Sequence, residues 1–172
     1  MNRIVAAIFH PPMGRSAPER FVDAGRVACT DDLIRSLSPT ISDILVVTGN
    51  EQSTESLRAH NVQIAQVALD APFHLGDSLK RLIRDHRIDA LLYFGSGSGG
   101  LLREETISTL LAFAERESPG ALFNNFYSCD FAVFSVARAL LEIPLPANDN
   151  GLGFAVSDGR IPCYPLLRSV ET

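Results

Sequence analysis

Tryptophan is absent from this chain, and cysteine is scarce, with three residues in 172. Cys29, Cys129 and Cys163 are widely spaced and odd in number, which argues against a disulfide framework and fits a reduced, cytoplasmic chain. They also lack the spacing of a zinc site. Long apolar runs are missing too. The opening MNRIVAAIF carries only Ile4 to Phe9 before His10, Pro11 and Pro12, too short for a signal-peptide core or a membrane span, and no later stretch reaches that length. Nor is there an excess of basic charge: 15 Lys and Arg face 20 Asp and Glu, for a formal charge of −5. That balance argues against a broad nucleic-acid footprint. Neither nucleic acid nor a membrane is therefore an expected partner.

What is present is an ordinary globular composition, 46% apolar and 20% charged, at a length that suits one domain over residues 1–172. Runs rich in Ile and Val recur at Ile4 to Phe9, Ile44 to Thr48, Val62 to Leu69 and Ala90 to Phe94. Helical patterns separate them, and this alternation predicts a three-layer α/β/α fold with a mostly parallel central sheet. Thr30 is expected to cap a helix carrying Asp31 and Asp32 in its first turn, with Leu33, Ile34 and Leu37 inward and Pro39 as its limit. A short helix is expected from about Ser53 to His60. From about Gly76 to His86, Leu79, Leu82, Ile83 and His86 share one face, the mark of an amphipathic crossover helix. A helix is expected from Arg103 to about Arg116, and Ala121 to Asn124 reads as a strand.

The region after Asp130 is harder to read, because a buried strand running into a helix and a single buried helix have the same apolar density over Phe131 to Leu141. A helix over most of it is the favoured reading. Ser157-Asp158-Gly159 between Gly153–Val156 and Arg160–Leu166 is a hairpin signal, with Pro162 and Pro165 confining the second strand to an edge or an irregular position. The Phe-rich stretch Phe123 to Phe134 reads as ordinary core, with the face of a homodimer as the competing reading.

Candidate chemistry centres on Gly95, Ser96, Gly97, Ser98, Gly99 and Gly100, which follow a buried strand and precede a helix. Backbone N–H groups in such a loop can point at an anion, and ligands of open α/β sheets sit beyond the carboxyl ends of strands. The pattern is neither GxGxxG nor a P-loop, and a flexible connection is the competing reading. Arg15, Arg20 and, further along, Arg26 follow the first strand and are candidates for bidentate phosphate contacts. Asp130, Asp149 and more remotely Asp77 are the loop carboxylates that could hold Mg²⁺, although Asp149 also suits a turn and Asp130 a helix cap. His74 and His10 lie on the expected ligand side, and His74 is the preferred ligand contact. No serine occupies a GxSxG elbow, and the cysteines read as core thiols.

The order of segments resembles the small nucleotidyltransferases of the nucleotide-diphospho-sugar transferase (GT-A-like) fold, especially those related to molybdenum cofactor guanylyltransferase. Met13-Gly14-Arg15-Ser16 looks like a degraded nucleotide signature, and Asp43 to Asn50 resembles the second strand and its exit. His74-Leu-Gly-Asp-Ser-Leu-Lys-Arg-Leu-Ile83 resembles the start of the third helix. Ile88 to Gly95, followed by Leu101-Leu102, resembles a strand that normally ends in a metal-binding Asp and a Pro-Leu-Leu run. Here Gly and Ser stand where that Asp would be, and the first loop lacks the paired glycines and lysine of the family. The resemblance implies a GT-A/Rossmann-like domain that transfers a nucleoside monophosphate from a nucleoside triphosphate to a small phosphorylated acceptor with Mg²⁺. In it, Asp149 would hold the metal, with the loop carboxylate Asp130 as the other candidate ligand, and the partner would be a nucleotide or small phosphorylated molecule. The missing Asp makes a non-catalytic nucleotide or small-anion binding protein the alternative, and a homo-oligomeric interaction protein the second. The family continues past a segment like Tyr164 to Thr172 into an Asp-rich turn and a closing helix, so a domain lacking that segment is expected.

Overall fold

The computed structural model describes residues 2–11, 16–49, 57, 60, 62–66 and 73–167. Among the described residues seven strands form one sheet: β1 (Ile4–His10), β2 (Ile44–Thr48), β3 (Gln63–Gln66), β4 (Ala90–Gly95), β5 (Ala121–Phe123), β6 (Phe131–Phe134) and β7 (Cys163–Pro165). Their spatial order is β3-β2-β1-β4-β6-β5-β7. All run parallel except β6, which is antiparallel to both β4 and β5. The order reverses between β1 and β4, and that switch point opens a crevice at the carboxyl ends of the strands.

The central strands are buried on both faces, so successive residues of β1 serve different layers. Val5, Ala7 and Phe9 join one apolar cluster with Leu75, Leu79 and Ile83 of α2 (Leu75–His86), Leu140, and Leu152 and Val156 of α4 (Leu152–Asp158). Ala6 and Ile8 join the other with Leu33, Ile34 and Leu37 of α1 (Ala17–Leu37) and with Ile107 and Leu110 of α3 (Glu104–Ala114). This is the three-layer α/β/α arrangement with a mostly parallel sheet that the sequence pattern predicts. Phe123, Phe131 and Phe134 lie in this core rather than on a free face.

Several local expectations are corrected. The first helix begins at Ala17, not at Thr30: Ser16 accepts from the Glu19 N–H while the Glu19 side chain accepts from the Ser16 N–H, a capping box. Thr30 instead lies buried inside that helix. Phe131 to Phe134 form a strand and Ala137–Glu142 a 3₁₀ helix, because β6 fills the space between β4 and β5 and leaves no polar face to betray its period. Asp130 therefore precedes a strand and caps no helix. The hairpin around Asp158-Gly159 is in fact α4 followed by β7, which pairs parallel to β5 at the sheet edge. Gly159 is needed there for close approach, since a Cβ on it would lie 2.5 Å from Ile143 Cγ2. The helix expected from Ser53 to His60 and the strand beyond Gln66 fall largely outside the described residues.

Candidate functional site

Three chain segments converge at the switch point. The first is the glycine loop, which leaves the end of β4 beside Phe9 of β1. The second is Asp130: because β6 runs antiparallel to β4, it starts where β4 finishes, and the Gly95 N–H donates to the Asp130 carbonyl at 2.7 Å. The third is Ala147 to Asp149, which α2 holds in place. The Leu75 and Gly76 N–H groups in the first turn of α2, which have no intrahelical partner, donate to the carbonyls of Ala147 and Pro146, both at 2.9 Å. Gly76 permits this approach, since a Cβ there would sit 2.5 Å from Leu145 Cβ. The glycine of the segment His74 to Ile83 thus has a physical purpose, to let the Asp149 loop rest on the helix.

Two cavities of about 360 Å³ each meet at Gly95, Ser96 and Asp149. One is lined by Phe9, Phe73, Tyr93, Arg26 and Asn148 among others. Its aromatic wall is interlocked: the Phe9 ring meets Tyr93 edge-on at 5.4 Å and Phe73 at 6.2 Å. The other is lined by Gly95 to Gly99, Asn124, Asp130, Phe131 and Asp149. Asn124 orients Asp130 there, its Nδ2 donating to the carboxylate at 3.2 Å. Burial, followed by the negative charges of Asp149 and Asp130, pushes the Cys129 thiol far above its ordinary value, so Cys129 is an inert core thiol. Tyr93 is pushed up as well, by burial first and then by Cys129, Asp149 and Asp130.

The glycine loop spends much of its own hydrogen-bonding capacity internally. The Ser96 N–H donates to Phe9 O at 2.8 Å, the Ser98 N–H to Gly95 O at 3.1 Å, and Ser98 Oγ to the Gly95 and Asp130 carbonyls at 2.5 and 3.1 Å. Gly97 and Gly99 have φ of 86° and 73°, so the sharp path needs glycine. A Cβ on Gly97 would touch the Arg26 Cγ at 3.6 Å, which shows that the stem of Arg26 lies directly beneath the loop. Arg26 Nε donates to Ser96 Oγ at 2.6 Å, and its Nη1 is 3.9 Å from Asp23 Oδ1. Among the described residues, Arg26 is the cation lining these cavities.

The sequence-derived candidates therefore divide. Gly95 to Gly99, Asp130 and Asp149 come together, whereas Gly100 packs toward Cys29 of α1. His74 caps α2, its Nδ1 accepting from the Asp77 N–H at 3.2 Å, and lines neither cavity. Arg20 is exposed on α1 and is part of neither lining, and Arg15 lies outside the described residues. Asn124, Tyr93 and Phe73 are lining residues that sequence reading missed. No cluster of three or more His, Cys, Asp or Glu side chains able to hold a metal occurs among the described residues. Two carboxylates on one cavity do fit Mg²⁺, which commonly takes one or two protein carboxylates and completes its shell with water and substrate phosphates.

No protein family's sequence profile matches the chain, and no curated protein matches it in sequence. Solved structures do match its fold. A cytidylyltransferase from Leptospira borgpetersenii superposes with a TM-score of 0.71 at 13% identity, over 99% of this chain and 78% of that one. A nucleotidyl transferase from Methanothermobacter thermautotroptrophicus gives 0.71 at 16% identity, over 99% and 90%. Glucosyl-3-phosphoglycerate synthase from Mycobacterium tuberculosis, solved with Mn²⁺, uridine diphosphate and glucosyl-3-phosphoglycerate, gives 0.61 at 12% identity, over 95% and 70%. The chain has the GT-A/Rossmann-like fold that these transferases share.

Proposed function

We propose that this protein is a nucleotidyltransferase, moving a nucleoside monophosphate from a nucleoside triphosphate to a small phosphorylated acceptor with Mg²⁺. The observation that carries the proposal is the placing of Asp130 and Asp149 on the cavity beside the glycine loop. Among the described residues those two carboxylates outnumber the one lining guanidinium, Arg26, so a bare phosphate would meet net repulsion from them. A phosphate arriving with a divalent cation would not. The charge balance thus favours metal-dependent nucleotide binding over the alternative of a metal-free anion-binding module.

In this reading an acceptor phosphate oxygen attacks the α-phosphorus, the bond from that phosphorus to the bridging oxygen of the β-phosphate breaks, and pyrophosphate leaves. Asp149 and Asp130 would hold the metal, which when bound neutralises phosphate charge. The chain's own work is positioning: the glycines allow phosphates close to the backbone, and Arg26 offers N–H donors to a phosphate oxygen. The fold shared with nucleotidyltransferases supports nucleotidyl transfer, and the same fold in a glucosyl-3-phosphoglycerate synthase solved with Mn²⁺ and uridine diphosphate supports metal-dependent nucleotide binding. Incubation with each nucleoside triphosphate, Mg²⁺ and a panel of phosphorylated acceptors should release pyrophosphate. Metal-independent nucleotide binding with no pyrophosphate under any pairing would favour the binding module instead.

A further inference from the structure

Helix α1 carries charge where a core-facing helix should be apolar. Among its half-buried and buried positions, Asp23, Arg26, Val27, Thr30, Leu33, Ile34 and Leu37 keep the i, i+3, i+4, i+7 spacing of one inward stripe. The second half of that stripe is ordinary core, but the first half presents a carboxylate and a guanidinium to the end of β1. There His10, with 0% of its surface exposed, reaches Asp23 Oδ1 from Nε2 at 3.0 Å. A carboxylate only accepts, so the shared proton belongs to His10 Nε2. The same Oδ1 lies 3.9 Å from Arg26 Nη1, and Arg26 Nε donates to Ser96 Oγ at 2.6 Å. A continuous polar chain therefore runs from the buried end of β1 through α1 to the glycine loop.

The geometry points to Asp23 and His10 as positioning residues that hold the Arg26 guanidinium under Ser96 and Gly97, aimed into the cavity as a clasp for a phosphate oxyanion. Three observations converge on this role. A guanidinium has five N–H donors, and the bond to Ser96 uses one, leaving the Nη groups for Asp23 and a ligand. The aliphatic stem runs beneath Gly97, where an added Cβ would meet Arg26 Cγ at 3.6 Å, so stem and loop are neighbours. And the loop's own Gly95, Ser96 and Ser98 N–H groups are already bonded within the protein, so a charged side chain adds donors where half of the loop's own are spent. The inference rests on the proposed phosphate chemistry of this crevice and names the group that grips the anion from the aromatic-walled cavity, which meets the carboxylate-lined one at Ser96 and Asp149.

Two measurements on the intact chain test it. The first is the Arg26 Nε–H resonance in a ¹H–¹⁵N spectrum of the free protein, assigned by its disappearance in Arg26→Lys. Asp23→Asn should displace this resonance and speed its exchange with water, as should Ser96→Ala, while the backbone spectrum stays that of the folded protein. The second is calorimetric titration with Mg²⁺-pyrophosphate, in which Arg26→Lys and Asp23→Asn should each weaken binding by about tenfold, the scale of one charge-assisted hydrogen bond. An Arg26 resonance indifferent to Asp23→Asn overturns the positioning role. Binding by the wild type that both variants match overturns the clasp while leaving the nucleotidyl-transfer reading intact. A wild type that takes up no Mg²⁺-pyrophosphate brings down that reading and the clasp with it.

Discussion

The two cavities that meet at Ser96 are built from opposite materials. The wall of one is core: Phe9 is 2% exposed, belongs to the cluster packed under α2, and locks edge-on with Tyr93 and Phe73. The wall of the other is loop and strand end, with the exposed Asp130, the half-buried Asp149 and glycines in conformations that side chains avoid. Burying apolar rings stabilises the fold whatever the site does, whereas two carboxylates facing one space repel each other unless a cation lies between them. The difference separates residues that hold the crevice open from residues that could act within it. Arg26 and Ser96 stand on the border and tie the two together.

Substitutions should respect that division. Phe9→Ala should have the largest effect, lowering stability by about 3–5 kcal/mol in urea unfolding, because the lost ring leaves a void in the core. Next, Asp149→Asn should leave the unfolding midpoint nearly unchanged yet remove the Mg²⁺-dependent stabilisation by nucleotide, worth about 2.7 kcal/mol when ligand is at a hundred times its Kd. A fall in stability as large as that of Phe9→Ala would mean the two walls do not differ as described. Gly76→Ala should fall between the classes. Its Cβ would collide with Leu145, costing about 1–3 kcal/mol and pushing the Asp149 loop outward, so stability and metal response should weaken together.

The smallest effect concerns acid. Burial first, and then the nearby Arg26 charge, lower the His10 pKa below its ordinary 6.5, against the opposing pull of Asp23. A histidine with a depressed native pKa makes the unfolded chain the better proton binder, so stability rises with pH through this window. The contribution is complete above the unfolded value of about 6.5 and is lost as pH falls toward the native pKa. His10→Gln should flatten the acid limb of a stability-against-pH curve below pH 6.5; an unchanged slope would remove His10 from the account.

What the sequence revealed, and what it hid, follows from the same physics. β1, β2, β4 and α2 were legible because their burial pattern is their residue pattern; Leu79, Leu82 and Ile83 of α2 turn inward at helical spacing. α1 was half hidden because Asp23 and Arg26 occupy its inward stripe, and a helix that breaks its own pattern marks a place where packing yields to polar chemistry. Its start was nonetheless written in Ser16-Ala-Pro-Glu19, a capping box with proline in the first turn. β6 was hidden because a four-residue strand buried on both faces has no alternation to show. In the site, Asp149 and Asp130 could be picked out as loop carboxylates, but their meeting depends on an antiparallel β6 and on Gly76, neither of which a local pattern encodes. Arg26 could be noticed only as one arginine among several, since the partner that fixes it, Ser96, lies 70 residues away.

The central claim is that nucleotide enters this crevice with a divalent cation held at the carboxylate wall. Thermal unfolding of the wild type with a panel of nucleoside triphosphates, each in excess Mg²⁺ and again in EDTA, tests it most directly. The account predicts a rise in midpoint for at least one nucleotide with Mg²⁺, its loss in EDTA, and its loss again in Asp149→Asn with Mg²⁺ present. An equal rise in EDTA, or one that survives Asp149→Asn, would contradict it.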